Sequence, residues 1–474
     1  MKIKSLLISG FAGLLTLSSC SKFLEEKSQS EVIPKTAIDY RELLMGSGYM
    51  NVYQEPNSFI YFMDDDVDFF IERADGQDSP VGQYDAKVDF PYYTWQPRQA
   101  DRNGVGDLIS EDPGSTAYAQ YYKWIMGCNA VLDNIDKAIG TDAEKNRVKG
   151  EALAVRAYYY FILANMYGEP YNHNPQSLCV PLKLNSSITE SQMKQNTVAE
   201  VYAQVVADLN EAAGLMDPLP IARKDFHINQ PAIHMLLSRV YLYMEKYNDV
   251  VSETNKAFAQ GAMLADLTAM PYANWLTYNN PEVEWLFGGN TQGDQSTYIP
   301  AAAFRATFDP ADVRITQGIQ VQSNNNVPLV TKLPTGGQLG QTIRTPEAIL
   351  NRAEANVQLG KLSDALKDLN DLRRTRIPGY TDVSISDKAA LLLAVREERR
   401  KEFCFEGFRW FDLRRYGMPA ITHRYQEDLG GPILQFKLAE KDPAYTLPFP
   451  SSLLQRNPEL KQNPSGMMPD RIGQ

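Results

Sequence analysis

Four acidic residues, Asp64, Asp65, Asp66 and Asp68, form the densest group of side chains with chemistry in reach. Paired carboxylates are what a glycosidase needs, one as acid and one as base or nucleophile. The same group could bond sugar hydroxyls, hold calcium through oxygen ligands, or stand as a solvated loop; it lacks the ligand spacing and glycine of an EF-hand. A second candidate set is aromatic. Trp95, Trp275, Tyr278 and Trp285 fall in stretches rich in Gly, Asn, Asp and Pro. A sugar ring offers an apolar C–H face, and a flat aromatic side chain covers it with few rotors to freeze. Each of these rings also suits a core, as Trp124 and Trp410 do within helical patterns.

Other reagents are scarce. The histidines are His173, His227, His234 and His423; no pair has HExxH spacing, and no Cys/His set matches structural zinc. His234 falls in a helix interior, where a core histidine with satisfied nitrogens is expected. No G-x-S-x-G elbow, Walker loop or dinucleotide glycine fingerprint occurs. The charged run from Arg396 to Glu402 continues through Glu406, Arg409, Asp412 and Arg415, interleaved with Phe403, Phe405, Phe408, Trp410 and Phe411. It reads as paired charges holding a helix end against the core. No catalytic residue, metal or cofactor is expected, and the carboxylate group stays a weaker, hydrolase-type alternative.

One cysteine carries a different chemistry. Leu17-Ser18-Ser19-Cys20 closes an N-terminus with Lys2, Lys4 and an apolar run from Leu6 to Leu17. That is a secretory leader over 1–19, too short to span a bilayer. Small residues before a cysteine make it a lipoprotein signal, with the Cys20 thiol receiving diacylglycerol. Residues 20–35 read as a polar tether. The formal net charge of −11 becomes more negative once the two leader lysines are gone, which argues against nucleic acid and anionic lipid as partners. With Cys20 acylated, Cys128, Cys179 and Cys404 remain, an odd number that argues against a disulfide framework.

The positioning elements are helical. Val148, Ala152, Val155, Tyr159, Ile162 and Met166 form one stripe that stops at Gly168-Glu169-Pro170. Further helices are expected over 118–139 and 198–215. Residues 231–259 read as a helix pair with Pro231 at its start and its turn at Tyr247-Asn248-Asp249. Residues 346–374 repeat the arrangement, with Pro346 starting, Gly360 breaking and Ser363 capping. These pairs have the length and pattern of tetratricopeptide units, or of ordinary helical hairpins. Two long irregular regions, 46–113 and 261–344, hold the candidate aromatics, and loops of that length usually carry function.

Residues 397–417, EERRKEFCFEGFRWFDLRRYG, resemble the C-terminal signature of SusD/RagB-like outer-membrane lipoproteins. KGEALAVRAYYYFILANMYGEP (149–170) is similar to that family's central helix. RAEANVQLGKLSDALKDLNDLRR (352–374) is similar to its preceding helix pair, and LPFPSSLLQRNPELKQNPSG (447–466) to its closing segment. The resemblance implies a mostly α fold: tetratricopeptide-like pairs as scaffold, long loops and a few short strands. It implies one unit over 36–474, with an N-terminal part to about 225 and a C-terminal part from about 226. It further implies an outer-membrane, surface-exposed binding protein that passes oligosaccharide to a SusC-like TonB-dependent transporter, with peptide as the alternative cargo. The family shares no ligand motif, so the ligand stays open; Trp95, Trp275, Tyr278, Trp285, Asp64 and Asp65 are the candidates.

Overall fold

Threonine starts the helices of the N-terminal half. Helices α1 (Ala37–Ser47), α2 (Ala117–Leu132), α3 (Asp142–Tyr167) and α4 (Val198–Met216) each have a threonine N-cap whose hydroxyl accepts a first-turn N–H. In α1, α3 and α4 an acid three residues on returns the bond, which satisfies two orphan donors at once. The structure is a computed structural model. It describes residues 33–52, 58–69, 89–102, 116–188, 192–289, 298–321, 328–333, 339–427 and 431–474. Cys20, the leader and most of the tether lie outside them.

Helix α3 is the central element, buried on every side from Gly150 to Tyr167 and packed against α2 and α4. Its apolar and aromatic residues are therefore not a stripe but a full girdle. Gly127 lets α1 and α2 close together, because a Cβ there would lie 2.2 Å from the Ser47 carbonyl oxygen. The helix expected over 118–139 stops at Leu132. The chain then makes a 3₁₀ turn, and the Ile139 N–H bonds the Lys35 carbonyl at 2.8 Å.

Two helical hairpins follow: α5 (Gln230–Tyr243) with α6 (Tyr247–Ala259), and α7 (Thr345–Gln358) with α8 (Leu362–Arg374). α7 packs on both α5 and α6, so the pairs stack as repeats do. The first turn lies at 244–246 rather than 247–249, with Glu245 at φ 58°. Ser363 is not a cap; it sits inside α8 behind Gly360 at φ 77°. α9 (Lys388–Glu402) and the short α10 (Arg409–Arg415) complete the scaffold.

Strands among the described residues are short: β1 (Val67–Phe69), β2 (Val283–Gly289), β3 (Tyr298–Pro300), β4 (Ile319–Val321), β5 (Pro328–Val330), β6 (Leu339–Arg344), β7 (Ile421–Tyr425) and β8 (Leu434–Leu438). They pair antiparallel as β1–β3, β2–β6, β4–β5 and β7–β8. The β1–β3 pair, with Val67 opposite Pro300, ties the two long excursions together. The fold is thus mostly α, with repeat-like helical pairs and a few short strands. No described helix is long and apolar enough to cross a membrane.

The charged run at 396–415 is mostly interior. The Glu402 carboxylate accepts from Arg376 Nε at 3.0 Å, Arg314 Nη1 at 2.9 Å and Arg344. Burial opposes its ionisation, yet Arg376, Arg344 and Arg314 hold it well below the usual carboxylate range. Asp412 binds Arg399 Nε at 2.9 Å and Arg415 Nε at 2.8 Å, and Arg414 donates to the Asn165 and Gly168 carbonyls ending α3. Trp410 is fully buried and stacks on Tyr445 at 4.6 Å. Cys128, Cys179 and Cys404 are free and buried.

Candidate functional site

The acidic group is folded inward. Asp64 and Asp66 are buried, and carboxylate oxygens of Asp64, Asp65 and Asp66 lie within 4.8 Å of one another. Two arginines from the charged run answer them. Arg409 grips Asp65 with Nε at 2.6 Å and Nη2 at 2.7 Å, and Arg400 Nε reaches Asp66 at 2.5 Å. Asp68 is half-buried and bonded by Arg424 Nη2 at 2.6 Å. A hydrolase needs carboxylates facing a substrate; here Asp64 is enclosed and Asp65 is clamped by a guanidinium. The expectation that Asp64 and Asp65 reach a ligand is corrected for Asp64 by its burial, while Asp65 keeps a partly open edge.

Burial and the neighbouring charges of Asp66 and Asp65 push Asp64 well above the usual range. Burial likewise raises Asp66 to about 6, against the pull of Arg400 and Arg409. The folded chain therefore binds more protons here than the unfolded one. The contribution of Asp66 to stability should fall as pH rises from about 4 to about 6, then stay level. An Asp64→Asn/Asp66→Asn variant should lose that fall. Denaturant unfolding across this window checks it, and an unchanged pH slope in the variant would contradict it.

Trp95, Trp275 and Trp285 do not present open faces, which corrects the expectation that they stack a ligand. Trp95 is 1% exposed, stacks on His423 at 4.3 Å and donates Nε1–H to the Met63 carbonyl at 2.9 Å. His423 lies between Trp95 and Tyr93, with its ring nitrogens 2.8 Å from the Tyr93 carbonyl oxygen and 2.9 Å from that of Asp64. Trp285, on β2, is fully buried and stacked on Phe287 at 3.8 Å. Trp275 fills a small satellite core with Leu267 and Val313. The physical reason is area: large rings in irregular chain supply the apolar surface that short strands cannot, so the excursions need them as a core. Tyr278 stays half-buried, its hydroxyl accepting the Leu286 N–H at 3.1 Å, its ring 5.2 Å from the exposed Phe226.

One partly open stacked aromatic pair among the described residues is one that the sequence did not single out. Phe59 and Tyr92 stack with centroids 4.5 Å apart at 22°, and both remain half-buried. They border a cavity of about 140 Å³ whose walls include Gln99, Thr116, Tyr167 and Pro450. A stacked pair with polar groups beside it can cover a sugar face and meet hydroxyls at the edge. The only sequence signal was membership of the aromatic-rich 46–113 region, which does not rank one ring over another. His234, by contrast, sits as expected: 1% exposed, with Glu253 Oε2 at 2.6 Å and Asp217 Oδ1 at 3.1 Å.

Comparison with known proteins agrees with this architecture. Residues 22–242 match a family model described as SusD-like, starch-binding and associating with the outer membrane, and residues 334–465 match the SusD family model. A curated relative, SusD-like protein P38 of Formosa agariphila, is 22% identical and matches over 65% of this chain and 75% of its own length. A crystal structure of a putative sugar binding protein from Bacteroides vulgatus is similar at 26% identity and TM-score 0.72, covering 92% of this chain and 99% of that one. A SusD superfamily protein from Bacteroides thetaiotaomicron shares the fold at 24% identity and TM-score 0.70, over 90% and 100% of the two chains. With two family models matched in order along the chain, and with the charged signature, central helix and stacked hairpins folded together, the chain belongs to the SusD/RagB-like family.

Proposed function

We propose that the chain is a nutrient-binding protein that holds oligosaccharide on the Phe59–Tyr92 platform, without turning it over. The observation that carries this reading is the half-open stacked pair beside a polar-edged notch. Family membership supports it, since the matched model is described as starch-binding and outer-membrane-associated. The clamped acidic group supports binding over hydrolysis. Acylation at Cys20 ties the protein to the outer membrane facing the medium, and a SusC-like TonB-dependent transporter receives the cargo. Tyr278, beside Phe226, is a secondary contact.

Few anchors carry most of the energy at such sites. Phe59→Ala or Tyr92→Ala should cost about 2 kcal/mol of glycan affinity, roughly thirtyfold, with the fold intact. Trp95→Ala should instead destabilise the fold by about 3–5 kcal/mol, because it empties a packed core site. Calorimetry with a retained glycan, paired with thermal melts, separates these effects. Parent-like affinity in both platform variants would exclude this site.

A further inference from the structure

A cavity larger than the one beside Phe59 and Tyr92 lies elsewhere, between the C-terminal end of α3, the segment entering α4 and the closing segment of the chain. Its volume is about 430 Å³, within the range of small-ligand sites, and Leu178, Met418, His173, Glu169, Lys441 and Lys461 are among its walls. Two independent features mark it. Met418 and Lys441 both line it, and both adopt φ 57°, a region non-glycine residues avoid. They are fixed together by the Lys441 N–H, which donates to the Met418 carbonyl at 2.8 Å. Such strain persists where the surroundings impose it, and it clusters at ligand clamps.

The second feature is charge. On an acidic chain of net −11, Lys441 and Lys461 face this one cavity with His173. The acids nearby are largely engaged. Asp442 is bonded by Arg471 Nη2 at 2.5 Å, and Glu169 accepts from Asn174 Nδ2 at 3.0 Å with His173 3.7 Å away. Glu440 lies 3.8 Å from Lys441 on the exposed side. Leu178 and Met418 give the floor an apolar patch.

We propose that this cavity binds a small carboxylate-bearing ligand, one or two residues long, at a site separate from the Phe59–Tyr92 platform. The carboxylate would pair with Lys441 and Lys461 while the body of the ligand covers Leu178 and Met418. A sugar acid and an acidic amino acid share that chemistry. Digalacturonate, neutral digalactose and the dipeptide Asp-Glu are therefore titrated calorimetrically against the full chain in detergent. At least one acidic probe should bind and digalactose should not. Lys441→Ala/Lys461→Ala should weaken that binding roughly fivefold, as the loss of two solvent-exposed ion pairs predicts. Leu178→Trp, which fills the cavity from a half-open position, should abolish it, and Tyr92→Ala should leave it unchanged. Which acidic probe binds identifies the source. Absence of binding by both acidic probes, equal binding of digalactose, or indifference to both cavity variants would overturn the proposal, whatever the fate of the glycan platform.

Discussion

Replacing Glu402 by Ala should lower the stability of the fold by about 3–5 kcal/mol, the cost of leaving buried charge without its partner. Arg376, Arg344 and Arg314 converge on this one carboxylate, and its backbone carbonyl also accepts from Arg344 Nη2 at 2.8 Å and Lys332 Nζ at 3.2 Å. Removing the carboxylate leaves three interior guanidiniums sharing Glu282, Glu398, Glu406 and Asp312. The linkage has a definite sign. A carboxyl held below its ordinary value stabilises the fold above the unfolded pKa of about 4.5, and loses that contribution as pH falls further. Denaturant melts at neutral pH should show the loss, and a variant as stable as the parent would show that this network does not hold the fold.

Cys20→Ala should release the protein from the membrane fraction. Acyl chains contribute roughly 0.8 kcal/mol per buried CH₂, so losing them shifts partition by many orders of magnitude. No described helix is long and apolar enough to cross a membrane in its place. Fractionation of cells making each form reads the effect, and unchanged membrane association of the Ala form would refute lipidation as the tether.

The scaffold was legible because its signals are local. The helical period of α3, its stop at Gly168, and Pro231 and Pro346 near helix starts lie within a turn or two of what they determine, although the period did not show that α3 is buried all round. The first hairpin turn was misplaced because Asn248 and Asp249 have turn-forming side chains yet sit in the first turn of α6, where such residues are equally at home. The site was less legible because its logic is long-range. Arg400 reaches Asp66 across 334 positions, and Arg409 reaches Asp65 across 344. No spacing rule links them, so an acidic loop looked free when it was clamped. Trp95 and Trp285 looked available for the same reason: the partners that bury them, His423 and Tyr158, come from distant segments. Phe59 and Tyr92 stay half-buried, and composition does not distinguish them from the enclosed rings of the same region.

Capture without turnover can be read in one assay. The full chain, immobilised from detergent, is challenged with a panel of oligosaccharides and peptides while the eluate is analysed for cleavage products. The protein should retain at least one oligosaccharide, release no product from any, and lose that retention in Phe59→Ala/Tyr92→Ala. Release of shortened sugars, or retention of peptides alone, would contradict it.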